Sequence, residues 1–259
     1  MARVLFAGES EVVYEMRQKG FDTLHSTVRT AEARRVIDAL EARGHSVTWL
    51  NSEEVGERFP YTLEELDLYD VVILSDVGSN TFLIPRAVHE GFTRPNRLRL
   101  LRNWVSQGGA LLMCGGWLSF AGMGGAANYS RTPIEELLPV KILPFDDRVE
   151  EPEGTYGCVV MPEHPIVDGL PSRWPPLLGY NYVEPSEGAD VVVRSDIGDP
   201  LLVTWEYGEG RAAAWTSDIA PHWISKEFES WEGYPALFNR AVTWLAGESL
   251  ESETVPTAD

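Results

Sequence analysis

The chain has 259 residues, 44% of them hydrophobic and 24% charged, a globular composition with enough apolar material for a sizeable core. Its formal net charge of −19 repels phosphate backbones and anionic lipid surfaces, which argues against nucleic acid or a membrane as partner. Two cysteines, Cys114 and Cys158, are too few for a disulfide scaffold, and no run of about 18 apolar residues could span a bilayer. The opening "MARVLFAGES" lacks a signal-peptide pattern, so a cytoplasmic location is expected.

In chain order, "RVLFAG" (3–8) reads as a short apolar strand ending in glycine. "AEARRVIDALEARG" (31–44) places Val36, Ile37 and Leu40 at helical spacing, with Gly44 as the stop. "HSVTWLN" (45–51) is β-rich, and "YDVVILSD" (69–76) is a continuous apolar run that turns polar at its end, as a buried parallel strand does. "NRLRLLRNWVSQGG" (96–109) predicts a helix closed by glycine, and "ALLMCGG" (110–116) the next buried strand. The densest basic stretch, "RPNRLRLLR" (94–102), reads as the solvated face of that helix. This alternation implies right-handed crossovers and a parallel sheet with helices on both faces.

The second half is richer in β. Strands are predicted at "TYGCVVM" (155–161), "ADVVVRS" (189–195), "PLLVTWEYG" (200–208) and "RAAAWTSD" (211–218), the last two joined by a hairpin at "EYGEGR" (206–211). "YPALFNRAVTWLAG" (234–247) is an amphipathic helix with Phe238, Val242 and Leu245 on one stripe. Residues 248–259 are polar, acidic and expected to be disordered. With no repeat and no long linker, residues 1–247 are expected to form one α/β domain. Its architecture should be a flavodoxin-like or Rossmann-like three-layer sandwich, with a mostly parallel sheet and a β-rich C-terminal extension.

Ligands of such sheets bind beyond the carboxyl ends of the strands. The candidates there are Gly8, Glu9 and Ser10; Asp76, Gly78, Ser79 and Asn80; Cys114, Gly115, Gly116 and Trp117; and Asp218 through His222 to Trp223. "GMGGAANYS" (122–130) lacks the spacing of a phosphate-binding loop and reads as a mobile cover for the cleft. The aromatic residues Trp117, Phe120, Trp223, Phe228, Trp231 and Tyr234 either converge near the cleft or pack in the core. Cys158 reads as a core residue and His164 as part of a turn. His25, His45 and His89 lack partners at ligand spacing, so neither a metal nor a cofactor is called for.

The segments "QGGALLMCGGWLSF", "EHPIVDGLP" (163–171) and "TSDIAPHW" resemble the class I glutamine amidotransferase-like superfamily, and within it a group of glutamine amidotransferase-like proteins. The resemblance spans roughly residues 3–247. It implies a Cys–His–acid triad with Cys114 as nucleophile, His222 as base and Asp218 as orienting acid, Glu227 being the other acid in range. The sequence departs from that pattern at Leu112, where the tight turn wants glycine, and at Trp223–Ile224, where an acid should follow the histidine. An incomplete triad favours a protein that binds a small polar ligand or scaffolds a subunit contact, and a homo-oligomer is compatible with it. The alternatives are glutamine hydrolysis through a Cys114 thioester with His222 as base, and a structural homo-oligomer using its aromatic surface.

Overall fold

In the computed structural model, which describes residues 1–249, the first apolar run forms strand β1 (Arg3–Gly8). The chain then leaves the sheet for a two-stranded ribbon, β2 (Val12–Lys19) and β3 (Asp22–Arg29), and returns through helix α1 (Arg34–Ala42) to β4 (Ser46–Leu50). Helices α2 (Ser52–Arg58) and α3 (Leu63–Leu66) lead to β5 (Val71–Ser75). Helices α4 (Ser79–Leu83), α5 (Arg86–His89) and α6 (Arg97–Ser106) lead to β6 (Ala110–Cys114). After a loop come α7 (Pro133–Leu137), β7 (Val140–Ile142), β8 (Arg148–Val159), β9 (Arg173–Asn181) and β10 (Val183–Pro185). Strands β11 (Asp190–Ser195), β12 (Pro200–Tyr207) and β13 (Gly210–Trp215) precede α8 (Lys226–Ser230) and α9 (Gly233–Leu245). Residues 250–259, most of the tail expected to be disordered, lie outside the described residues.

Nine strands form one sheet in the order β4-β1-β5-β6-β13-β12-β11-β8-β9. The pairs from β4 to β13 are parallel and those from β13 to β9 antiparallel. Most of the β-rich second half therefore continues the first sheet, while β7 and β10 pair with each other in a separate two-stranded sheet. Side chains alternate between two buried faces, which is why the parallel strands read as unbroken apolar runs. Val4, Phe6, Ile73, Leu112 and Cys114 face α1 and α9, while Leu5, Ala7, Val72, Leu74 and Met113 face α2, α6 and α7.

Two strand regions escape the sequence pattern for physical reasons. β9 carries Pro175 and Pro176, which would disqualify a central strand but are tolerated at the outer edge that β9 occupies. The β2–β3 ribbon has both of its faces in solvent, so no buried face imposes a core pattern on it. One expectation is overturned outright. Arg97, read as part of a solvated basic face, is fully buried. Its guanidinium donates to the carbonyls of Phe82 (2.8 Å), Thr81 (3.0 Å) and Val55 (3.2 Å), tying α2 to α4 from within.

Candidate functional site

At three sheet strands a small residue followed by an acid lies at or just past the carboxyl end: Gly8–Glu9 closing β1, Ser75–Asp76 closing β5, and Ser217–Asp218 two residues beyond β13. Glu9 (φ 54°) and Asp76 (φ 45°) both take the left-handed turn that swings the chain off the sheet edge. Gly8 (φ +108°) is required there, since a Cβ would stand 1.9 Å from the Ser75 carbonyl oxygen. The Glu9 amide donates to that carbonyl (2.9 Å), and the Ser75 hydroxyl donates to Glu9 Oε2 (2.5 Å). These bonds lock the ends of β1 and β5 together at the point where the strand order reverses, the place where open α/β sheets bind ligands.

A cavity of about 220 Å³ opens above these ends. Glu9, Asp76 and Asp218 line it together with Trp117, Pro221 and His222, and the base of the ribbon adds Ser10, Glu11, Thr30 and Glu32. Five of these residues are acidic and none is lysine or arginine. The Arg148 guanidinium lies 5.9 Å from the Trp117 ring centroid but is held by Asp146 at 2.9 Å, so it does not offset the cavity's charge. His222 (φ 145°) packs edge-on against Trp117 with ring centroids 4.5 Å apart, and stacks on Trp223. Its Nδ1 is 3.9 Å from Asp218 Oδ2 and its Nε2 3.8 Å from Glu150 Oε2. Thr30 Oγ1 is a buried hydroxyl without a hydrogen-bond partner at the cavity wall.

Burial governs the protonation of the carboxyls. Glu9 is pushed well above the usual carboxylate range, first by desolvation and then by the charges of Asp218 and Asp76, with the Ser75 hydroxyl opposing. Asp218 is raised by burial, against the opposing pull of His222 and the amides of Ile219 and Ala220. Asp76 is raised to about 6, again mainly by burial, against the opposing bond from the Leu118 amide (2.6 Å). Asp76 thus holds its proton more tightly folded than unfolded. The stability this contributes is complete below pH about 4 and is lost as pH climbs through about 6. Asp76→Asn keeps an acceptor for Leu118 and tolerates the left-handed turn. It should raise stability at pH 8 by on the order of 2 kcal/mol and leave it nearly unchanged at pH 4, measured by urea denaturation at both values.

Cys114 is the last residue of β6 and is fully buried among core side chains, not displayed on a turn. Burial pushes its thiol well above the ordinary range, and the charges of Glu9 and Asp218 push the same way. An activated cysteine needs the reverse, a cationic and partly exposed setting. The chain bends one step later, at Gly115 and Gly116, where an added Cβ on Gly115 would meet the Thr216 carbonyl oxygen at 2.0 Å.

The loop carrying Trp117 is held from beneath. Asn181, fully buried at the end of β9, accepts from the Gly116 amide (3.0 Å) and donates to the Gly116 carbonyl (3.2 Å) and to Asp147 Oδ1 (2.8 Å). Asp147 in turn accepts from the amides of Ala121 (2.8 Å) and Gly122 (2.9 Å). Neither residue is suggested by sequence, because each acts from an element whose place in the sheet is invisible before folding.

The remaining candidates sit elsewhere. Trp223 is buried behind His222, its indole N–H donating to Glu150 Oε2 (3.0 Å), and does not line the cavity. Gly78 packs against Ala127, Ser79 is buried with its hydroxyl donating to the Asn128 carbonyl (2.9 Å), and Asn80 is exposed away from the cavity. Gly8, Gly115 and Gly116 shape the backbone beneath it. Phe120, Phe228 and Tyr234 are core residues. The segment 122–130 is not a loose cover: Ala127 and Tyr129 are buried, and the Tyr129 hydroxyl donates to the Val77 carbonyl (2.6 Å). It lines a separate cavity with Arg131 and Pro144. Among the described residues no group of three or more histidine, cysteine or acidic side chains is arranged to hold a metal ion, and no helix is long and apolar enough to cross a membrane.

The chain belongs to the GATase1_like family, described as "Putative glutamine amidotransferase", whose match covers residues 3–247. It is similar to the cytoplasmic protein STM3548 of Salmonella typhimurium, with 39% identity over 94% of this chain and 98% of that one and a TM-score of 0.90. A second cytoplasmic protein, STM1381 of Salmonella typhimurium LT2, shares 38% identity over 94% of this chain and 99% of its own, with a TM-score of 0.89. A ThuA-like protein from Parabacteroides merdae, 15% identical over 97% of this chain and 92% of that one with a TM-score of 0.55, shares the fold alone. No curated protein matches the chain.

Proposed function

We propose that this protein binds a small, positively charged polar ligand in the acidic cavity and does not hydrolyse glutamine through Cys114. One observation carries this reading. Glu9, Asp76 and His222, three residues held in backbone conformations that cost energy, converge on one cavity, while the candidate nucleophile is sealed in the core. Strained residues persist where the surrounding fold imposes them, and they cluster at ligand sites. The charge of the walls selects the ligand. A glutamine carboxylate would meet five acidic residues and no cation, whereas an ammonium group would find charge-assisted hydrogen bonds and the flank of Trp117. With carboxyls protonated by burial, such a ligand displaces a proton as it binds. By extension from the two Salmonella relatives, we place the protein in the cytoplasm.

Calorimetric titration of the intact protein with 1,4-diaminobutane, and with succinate at matched ionic strength, tests the reading. The diamine should bind with proton release, seen as a heat that varies with the buffer's ionisation enthalpy, and succinate should not bind. Asp218→Asn should weaken the diamine by about tenfold or more, the scale of one charge-assisted bond. Binding of succinate in preference to the diamine would overturn the proposal, as would ammonia release from glutamine that Cys114→Ala abolishes.

A further inference from the structure

The acids of the cavity fall into two tiers. The floor is the carboxyl edge of the sheet, where Glu9 and Asp218 are buried beside Asp76. The mouth is the foot of the β2–β3 ribbon, where Glu11 and Glu32 are exposed. Trp117 and Pro221 add apolar wall. We infer that the ligand is a linear aliphatic dication, with one ammonium on the floor carboxyls and the other at the ribbon's foot, held by the Thr30 hydroxyl with Glu11 and Glu32. This inference rests on the reading of the cavity as a cation site and names the class of cation.

Thr30 carries the second pole. Among the described residues its Oγ1 is the one buried side-chain polar atom without a hydrogen-bond partner, and Thr30 lines the cavity. A hydroxyl taken from water and left unmatched costs free energy, so its position marks where a partner belongs. The backbone places it beside an acid. The Thr30 amide donates to the Glu11 carbonyl (3.1 Å), one rung below the last ladder pair of the ribbon, Val12 and Arg29. An ammonium has three donors, enough for the Thr30 hydroxyl and the two carboxylates around it. The spacing suits a short chain. Glu9 and Glu11 are two residues apart, so their Cα atoms are separated by at most about 7 Å, and ordinary bond lengths put the end nitrogens of an extended four-carbon diamine about 6 Å apart. The tiers also act on each other. Burial is the main cause of the raised floor carboxyls, and smaller contributions come from the mouth, the charge of Glu32 acting on Glu9 and that of Glu11 on Asp76. A dication that spans the tiers relieves both repulsions, which no lysine or arginine of the lining does. A lone ammonium on the floor would leave Thr30 Oγ1 unmatched.

Calorimetric titration of the intact protein with 1,4-diaminobutane and with butylamine, at matched ionic strength, separates the two poles. The diamine should bind at least about tenfold more tightly than butylamine, the scale of one further charge-assisted hydrogen bond. Thr30→Val changes no charge and keeps the branching of the side chain, so any general attraction of cations is the same in it. It should cost the diamine about tenfold and butylamine no more than about twofold. Urea denaturation should find the free variant at least as stable as the wild type, because the hydroxyl it removes has no partner. Glu11→Gln should weaken the two amines in the same unequal way. Three results would each overturn the second pole and leave a single-ammonium site standing: butylamine binding as tightly as the diamine, either variant weakening both amines equally or neither, or a Thr30→Val variant less stable than the wild type. Binding of neither amine would overturn both readings.

Discussion

Asn181→Leu is expected to lower the unfolding free energy by about 3–4 kcal/mol, one of the largest effects of any single polar substitution in this protein. The side chains have the same branching and the same number of heavy atoms, so the change removes hydrogen bonds without leaving a cavity. What remains is a buried Gly116 amide with no acceptor, a Gly116 carbonyl with one donor fewer, and an Asp147 carboxylate that has lost its side-chain donor. Each buried polar group left unmatched costs about 1–3 kcal/mol, more when it is charged. Burial already raises Asp147, with the Ala121, Gly122 and Asn181 donors opposing, so losing one of them should shift it further upward. Calorimetry should show a fall in Tm of roughly 10 °C, the scale such a loss has in a domain of this size. The cavity should suffer with the fold, because Gly116 leads directly into Trp117, one of its walls. A variant with unchanged Tm would mean that the loop from Gly115 to Gly122 is held by something other than Asn181 and Asp147.

The fold was legible wherever burial imposes a pattern. The three apolar runs at 3–8, 69–76 and 110–116 are adjacent parallel strands because both of their faces are covered, which removes polar residues from them, while the β-rich segment 45–51 joins them as the half-exposed edge strand β4. Patterns failed where a residue's neighbours come from distant sequence. Arg97 looks like any helix-surface cation until Phe82, Thr81 and Val55 are folded around it. Pro175 and Pro176 forbid a strand only if it lies inside the sheet.

The site was half visible. Its sequence mark is the threefold "AGE", "LSD" and "TSD", a small residue and an acid at or just beyond the end of a buried strand. Glu11, Thr30 and Glu32 join the cavity only because the ribbon is inserted directly after β1 and brings its foot back to the sheet edge. No local signal in "ESEVVY" or "RTAEA" announces that.

The account stands on Cys114 being a core residue below the site and not its nucleophile, and alkylation of the native protein measures this directly. Half-buried Cys158 in β8 is an internal standard in the same tube. With iodoacetamide at neutral pH and peptide mapping over time, Cys114 should react roughly 100-fold more slowly than Cys158. A thiol that is both buried and held in its protonated form reacts only through transient opening of the chain. Glutamine should not change either rate, and Cys114→Ala should leave diamine binding intact, at a stability cost on the order of 1 kcal/mol for the small cavity. Alkylation of Cys114 as fast as that of Cys158, slowed by added glutamine, would contradict the account and make the thiol the centre of the chemistry.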